Sequence, residues 1–169
     1  GGNTSEWVII YMSIVTYGAV VVPVLQDFNP ADVANIIDHS DSALLFADSR
    51  IWRSVSSAGA VMPGLRGVIS TEDFSVLKDS DGTVTHAMQA SCEKFRSEYP
   101  DGFRPEDIYY SPASSENVMI ISYTSGTTGF SKGVMLTVGN ITSNVNFALE
   151  HRFHYAGSRV LALLPLAAA

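Results

Sequence analysis

Thr124-Ser125-Gly126-Thr127-Thr128-Gly129-Phe130-Ser131-Lys132-Gly133 is the stretch on which the reading of this 169-residue chain turns. It concentrates hydroxyl side chains, three glycines and one lysine in ten residues. A phosphate calls for that mixture. Hydroxyls and backbone N–H groups donate to its oxygens, glycines let the backbone approach, and the lysine supplies charge. The apolar run Val118-Met119-Ile120-Ile121 comes before it and reads as a buried strand, and Val134-Met135-Leu136 resumes a strand pattern after it. A Ser/Thr/Gly-rich connector is the plainer explanation for such composition. The lysine at the loop's end and the prompt return to strand weigh against it.

Two common phosphate loops are excluded by spacing. In the pattern G-x-x-x-x-G-K-[ST], counted from Gly126, the second glycine position holds Ser131 and the hydroxyl position holds Gly133. Only Lys132 fits. The dinucleotide fingerprint G-x-G-x-x-G fails as well, because Gly126, Gly129 and Gly133 are wrongly spaced.

Tyr123-Thr124-Ser125-Gly126-Thr127-Thr128-Gly129-Phe130-Ser131-Lys132-Gly133-Val134 closely resembles the signature of the adenylate-forming enzymes, a superfamily that includes acyl-CoA synthetases, luciferases and peptide-synthetase adenylation domains. The likeness extends outward. Asn3-Thr4-Ser5-Glu6-Trp7 looks like the start of an early helix of the acyl-CoA synthetases, and Gly18 to Pro23 like the strand after it. Asp41 to Phe46, Leu136 to Ile141 and Arg159 to Leu166 continue the pattern. These flanking runs look most like the long-chain fatty acyl-CoA synthetase branch. There are departures. Ser131 stands where the family often has proline, Val138 where it often has histidine, and Ala167-Ala168-Ala169 where a histidine commonly follows Leu-Pro-Leu.

The resemblance implies an activity. A carboxylic acid, fatty in the favoured branch, would be joined to the α-phosphate of ATP to give acyl-AMP and pyrophosphate. The acyl group would then pass to coenzyme A. Tyr123, Thr124, Ser125, Gly126, Thr127, Thr128, Gly129, Ser131 and Lys132 are the expected nucleotide-binding residues, with Lys132 and Thr128 the expected catalytic pair. Magnesium should accompany ATP, with one of the threonine hydroxyls as its expected protein contact. The resemblance also implies that residues 1–169 are part of an N-terminal AMP-binding domain, and that motifs for adenine, ribose, magnesium and the thioester step lie beyond Ala169. An aryl-CoA ligase, a peptide-synthetase adenylation domain or a non-catalytic nucleotide-binding fragment is the alternative.

Bulk properties narrow the field. The chain is 46% hydrophobic and 16% charged, which is a globular composition. Its net charge of −7 argues against nucleic acid or an anionic membrane surface as the main partner. One cysteine excludes an internal disulfide and suits a reducing compartment. No apolar run approaches the ~20 residues of a membrane span. The expected location is cytoplasmic or peripheral to the inner face of a membrane, with small-molecule carboxylic acid and ATP as partners and some self-association of the chain.

Local signals predict an α/β fold with a mostly parallel sheet flanked by helices. Helices are expected at 5–17, capped from Asn3 and closed by Gly18, at 30–39 behind Asn29-Pro30, and at 140–151. A further helix is expected over Ser49–Ala58, and another over Thr85–Tyr99 with Met88, Cys92, Phe95 and Tyr99 on one buried face. Strands are expected at 19–22, 43–47, 67–69, 118–123 and 160–164, and an irregular stretch over 70–117. Asp79-Ser80-Asp81-Gly82 starts like a calcium loop but lacks the later ligands, so it reads as a tight turn. His151 and His154 could pair on a metal, but a helix C-terminus favours such residues without one. His39 likewise reads as a helix-end residue.

Overall fold

A computed structural model describes residues 3–25, 27–59, 61–124, 132–151 and 155–159. The fold is α/β, built of two small sheets and five α-helices among these residues. Helix α1, Ser5–Tyr17, is capped by Thr4, whose Oγ1 accepts from the N–H of Trp7 at 3.3 Å. The expected cap, Asn3, stands one residue too early. Thr4 holds the extended backbone a cap requires, and its short hydroxyl reaches the orphan N–H. Gly18 closes the helix at φ +86°, with the N–H of Ala19 on Ile14 O and its own on Val15 O. That left-handed turn favours glycine, and Ser111 Oγ would lie 2.7 Å from any Cβ added there.

The run 19–22 is not a regular strand. Val21 alone enters a ladder, donating to Met119 O and accepting from the N–H of Ile121, each at 2.9 Å, in one parallel bridge to Ile120. The next donor on that edge would come from Pro23, which has none.

From Pro30 the sequence signals become structure almost unaltered. Helix α2, Pro30–His39, starts at Asn29, whose Oδ1 accepts from the N–H of Asp32 at 2.9 Å. Strand β1, Leu44–Ala47, leads through Asp48 into α3, Ser49–Ser57; Asp48 Oδ1 accepts from the N–H of Ile51 at 2.8 Å. Strand β2, Gly67–Ser70, returns parallel to β1, Leu44 opposite Gly67 and Ala47 opposite Ser70. Val33, Ala34, Ile37, Val55, Leu65 and Val68 form the core between the two helices and this sheet, with Val68 fully enclosed.

The stretch expected to be irregular contains a strand. Strand β3, Val76–Asp79, pairs antiparallel with β2 to complete the order β1-β2-β3. Its tight reversal is fixed by Asp73, whose Oδ1 accepts from the N–H and hydroxyl of Ser75. Four residues with a lysine and an aspartate give little periodic signal; pairing with β2 makes them a strand.

Asp79-Ser80-Asp81-Gly82 is the cap of helix α4, Thr83–Glu98. One Asp79 oxygen accepts from the N–H of Gly82 at 3.0 Å, and the other from the N–H and hydroxyl of Thr85 at 2.8 and 2.7 Å. The expected buried face of this helix is a correction. Cys92 is exposed and Phe95 is 48% exposed. Only Val84 of α4 is buried; it packs on Gly67 in the first turn. Phe95, Tyr99 and Phe103 instead contact one another, with ring centroids 5.0–5.5 Å apart.

Strand β4, Val118–Thr124, and strand β5, Lys132–Thr137, form an antiparallel hairpin, and helix α5, Val138–His151, follows. Parallel pairing therefore occurs at β1–β2 and at Val21, whereas β2–β3 and β4–β5 are antiparallel. The signature segment is too short to carry the crossover that a parallel β4–β5 pair would need. The strand expected at 160–164 lies outside the described residues.

Candidate functional site

The candidate site is the loop end of the β4–β5 hairpin. Its pairing runs Ile121 with Met135, Ser122 with Val134, Tyr123 with Gly133 and Thr124 with Lys132. Thr124 and Lys132 are thus directly opposed at the last rung, and both are exposed. One hydroxyl and one ammonium flank the mouth of the segment that the sequence marks as phosphate-binding. Ser125, Gly126, Thr127, Thr128, Gly129 and Ser131 lie outside the described residues.

Tyr123, one step inside that rung, is buried at 7% exposure. Its hydroxyl is 2.7 Å from Nδ1 of His39 in the last turn of α2, and the two rings meet edge to face at 5.8 Å. Burial raises the Tyr123 pKa above the ordinary phenol value, and the negative charge of Asp41 adds to the rise. The phenol therefore stays neutral. Across the ladder, a Cβ on Gly133 would lie 3.1 Å from Cζ of Tyr123 and 3.0 Å from Cγ2 of Ile121. The glycine is what lets the ring lie across β5. Sequence reading missed the His39–Tyr123 contact, because 84 positions separate the partners.

Helix α5 is fastened at its start. Thr137 and Asn140 bond reciprocally: Asn140 Oδ1 accepts from the N–H of Thr137 at 2.9 Å, and Thr137 Oγ1 accepts from the N–H of Asn140 at 3.3 Å. The N–H groups of Val138 and Gly139 donate to Asn117 O and Ser115 O, both at 2.9 Å. These first-turn donors are spent on the preceding loop, so the helix start has few left for an anion.

No group of three His, Cys, Asp or Glu side chains gathers to hold a metal among the described residues. His151 Nδ1 is 2.9 Å from Phe147 O; His154, its suggested companion, lies outside the described residues. Among the described residues no helix is long and apolar enough to cross a membrane. An apolar cavity of about 440 Å3 lies between α1, residues 20–25, α2, β1 and α3, lined by Trp7, Tyr11, Phe28 and Leu45 among others. Among the described residues of the signature, none lines it.

Comparison with known proteins gives the family and the fold. The peroxisomal long chain acyl-CoA synthetase 7 of Arabidopsis thaliana is 27% identical over 165 residues, which is 98% of this chain and 23% of that protein. Human long-chain-fatty-acid–CoA ligase 6 is 30% identical over 158 residues, 88% of this chain and 21% of that protein. The chain therefore spans less than a quarter of these relatives' length. Among solved structures, ATP-bound MatB from Rhodopseudomonas palustris superposes with a TM-score of 0.68 at 19% identity, over 98% of this chain and 29% of that one. The hairpin, the helix behind it and the parallel β1–β2 unit thus belong to one known fold, and, matched over residues 1–169 by the AMP-binding enzyme model, the chain is a member of the AMP-binding enzyme family.

Proposed function

We propose that this chain is part of the N-terminal domain of a fatty acyl-CoA synthetase, which activates a fatty acid with ATP and passes the acyl group to coenzyme A. The observation that supports it is the opposition of Thr124 and Lys132 at the mouth of the signature segment. A carboxylate oxygen attacks the α-phosphorus, and the bond to the bridging oxygen of pyrophosphate breaks. Negative charge grows on the leaving phosphates. A lysine ammonium and hydroxyl donors facing them stabilise that charge and hold the phosphates in line. Thr124, Ser125, Thr127, Thr128 and Ser131 are the proposed hydroxyl donors, Gly126 and Gly129 the points of close approach, and Lys132 the charge partner. Thr128 and Lys132 carry the largest share. Magnesium would enter with the nucleotide, on phosphate oxygens. In the second half-reaction the coenzyme A thiolate attacks the acyl carbonyl and AMP departs.

The fatty branch rests on two named relatives, the Arabidopsis synthetase and the human ligase. The cytoplasm is the proposed location, with peripheral attachment to the inner face of a membrane as an option; the Arabidopsis relative's name makes the peroxisome the competing one. The decisive experiment is ATP–pyrophosphate exchange by the intact enzyme containing this sequence, across acetate, long-chain, aromatic and amino acids. Long-chain fatty acids should give the highest kcat/KM. Preference for an aromatic or amino acid would move the enzyme to another branch, and no exchange with any acid would leave a nucleotide-binding module. The 169-residue chain by itself is expected to form no acyl-AMP, because the positioning of acid against the α-phosphate depends on parts outside it.

A further inference from the structure

We infer that His39 is a positioning residue for the phosphate-binding segment: by holding the Tyr123 ring across Gly133, it fixes the spacing of the two strands that deliver Thr124 and Lys132. The inference rests on the adenylation reading and adds a residue that the signature does not contain.

The argument starts from rigidity. Helix α2 is the best-buried helix among the described residues, with Val33, Ala34, Ile36 and Ile37 all enclosed. His39 sits in its last turn, an exposed residue on a backbone that the core holds. The hairpin has no such mounting. Lys132, Gly133, Val134 and Met135 of β5 are all exposed. The Val21 bridge holds β4 near Ile120, three residues short of Tyr123. Beyond that point the His39–Tyr123 bond of 2.7 Å ties the loop end of the hairpin to α2.

The geometry of the ring supplies the direction. Tyr123 and Gly133 are opposed in the ladder, and the phenol passes so close to Gly133 that an added Cβ would meet two ring carbons at 3.1 and 3.4 Å. The ring therefore spans the hairpin: its base belongs to β4, its body lies on β5 and its hydroxyl is held by His39. If the hydroxyl is freed, the ring can swing, and the Thr124–Lys132 rung beside it loses its reference to the core. Burial and Asp41 keep the phenol protonated, so it has a proton to share with Nδ1 in one imidazole tautomer and an oxygen to offer in the other.

The test uses the intact enzyme. His39→Leu should lower kcat for ATP–pyrophosphate exchange roughly fivefold to tenfold, the scale of one hydrogen bond, with KM for the acid unchanged. His39→Asn, whose amide sits near the place of Nδ1, should recover most of that loss. In a Tyr123→Phe background, His39→Leu should cost less than about twofold more, since the two residues act as one unit. Hydrogen–deuterium exchange of the nucleotide-free protein should show faster amides at 132–137 in His39→Leu. A lowered melting temperature with unchanged kcat and unchanged strand amides would reduce the bond to ordinary packing and overturn the inference. So would losses that multiply in the double variant. If His39→Leu does not fold, the His39→Asn and Tyr123→Phe proteins still decide through the same amides. A wild-type enzyme without pyrophosphate exchange would sink the adenylation reading instead; the amide measurement would still judge His39.

Discussion

The unit from Pro30 to Val84 and the unit from Val118 to His151 are built on different terms. In the first, two capped helices and two parallel strands enclose Val33, Ala34, Ile37, Val55, Leu65 and Val68, all within 36 positions of one another in the chain. In the second, β5 and α5 contain no buried residue, and Met135, Phe147 and Leu149 are 54–69% exposed. One unit is held by its own apolar contacts. The other is held by a few attachments: the Val21 bridge, the Tyr123–His39 bond and the Ser115 and Asn117 carbonyls. The signature residues are on the second. The proposed site thus sits where apolar packing is thin, and under the His39 inference a rigid neighbour supplies the precision.

Substitutions separate the two units. The largest effect is expected at the site: Lys132→Ala and Thr128→Ala in the intact enzyme should each slow pyrophosphate exchange roughly a hundredfold or more, the scale of a lost transition-state donor. Thermal melting should stay near wild type, because the exposed Lys132 contributes nothing to the core. Equal losses of melting temperature and rate would erase the distinction between the units.

The next contrast is one of stability. Leu65→Ala should cost about 2–5 kcal/mol in denaturant unfolding, since Leu65 is 2% exposed within the core. The same change at Leu149, 69% exposed, should stay within about 0.5 kcal/mol. Similar costs at both would mean that α5 is covered by a partner or by chain outside this sequence, as the expected self-association of the chain would require.

Glycines sharpen the comparison within the first unit. A Cβ on Gly67 would lie 2.6 Å from Cγ2 of Val84, where α4 touches the sheet. Gly67→Ala should therefore destabilise by about 1–3 kcal/mol. A Cβ on Gly64 meets nothing within 4 Å and no left-handed backbone is required, so Gly64→Ala should be neutral or stabilise by a few tenths of a kcal/mol. Unfolding curves of the pair measure how tightly α4 is seated.

The smallest effect is a pH dependence. The Asp79 carboxyl is held below its ordinary pKa, first by the Thr85 hydroxyl and then by the Thr85 N–H. A depressed folded pKa means stability that is fully present above the unfolded carboxylate value and is lost as pH falls through the folded one. The melting temperature of Asp79→Asn should therefore differ most from wild type at neutral pH, and the two should converge in acid. Asp73 and Asp81 are lowered in the same way and will titrate alongside it. A gap that persists unchanged in acid would remove Asp79 as the charged cap.

These contrasts also explain what could be read from the chain. Asn29-Pro30 and Gly18 announce helix ends because capping is chemistry between near neighbours, and the structure keeps both. The signature is legible because few other uses combine those residues at that spacing. Strand β3 was illegible because its four residues are a strand by virtue of β2. Cys92 was misplaced because helical spacing tells which residues share a face and not whether anything covers it. His39 looked like an ordinary helix-end residue because nothing near it in the chain points to Tyr123.

The bridge at Val21 has a temporal consequence. Its partner, Ile120, lies roughly a hundred positions later, and closing so long a loop costs entropy that one bridge repays poorly. The Pro30–Val84 unit needs no such closure. On a ribosome its core can form once that stretch has left the tunnel, while the Val21 bridge waits for β4; Val8, Ile9 and Met12 of α1 stay open to solvent even in the finished fold. The N-terminal segment thus faces the early core across the cavity, but gains its bridge to Ile120 only when the strand that leads into the signature arrives.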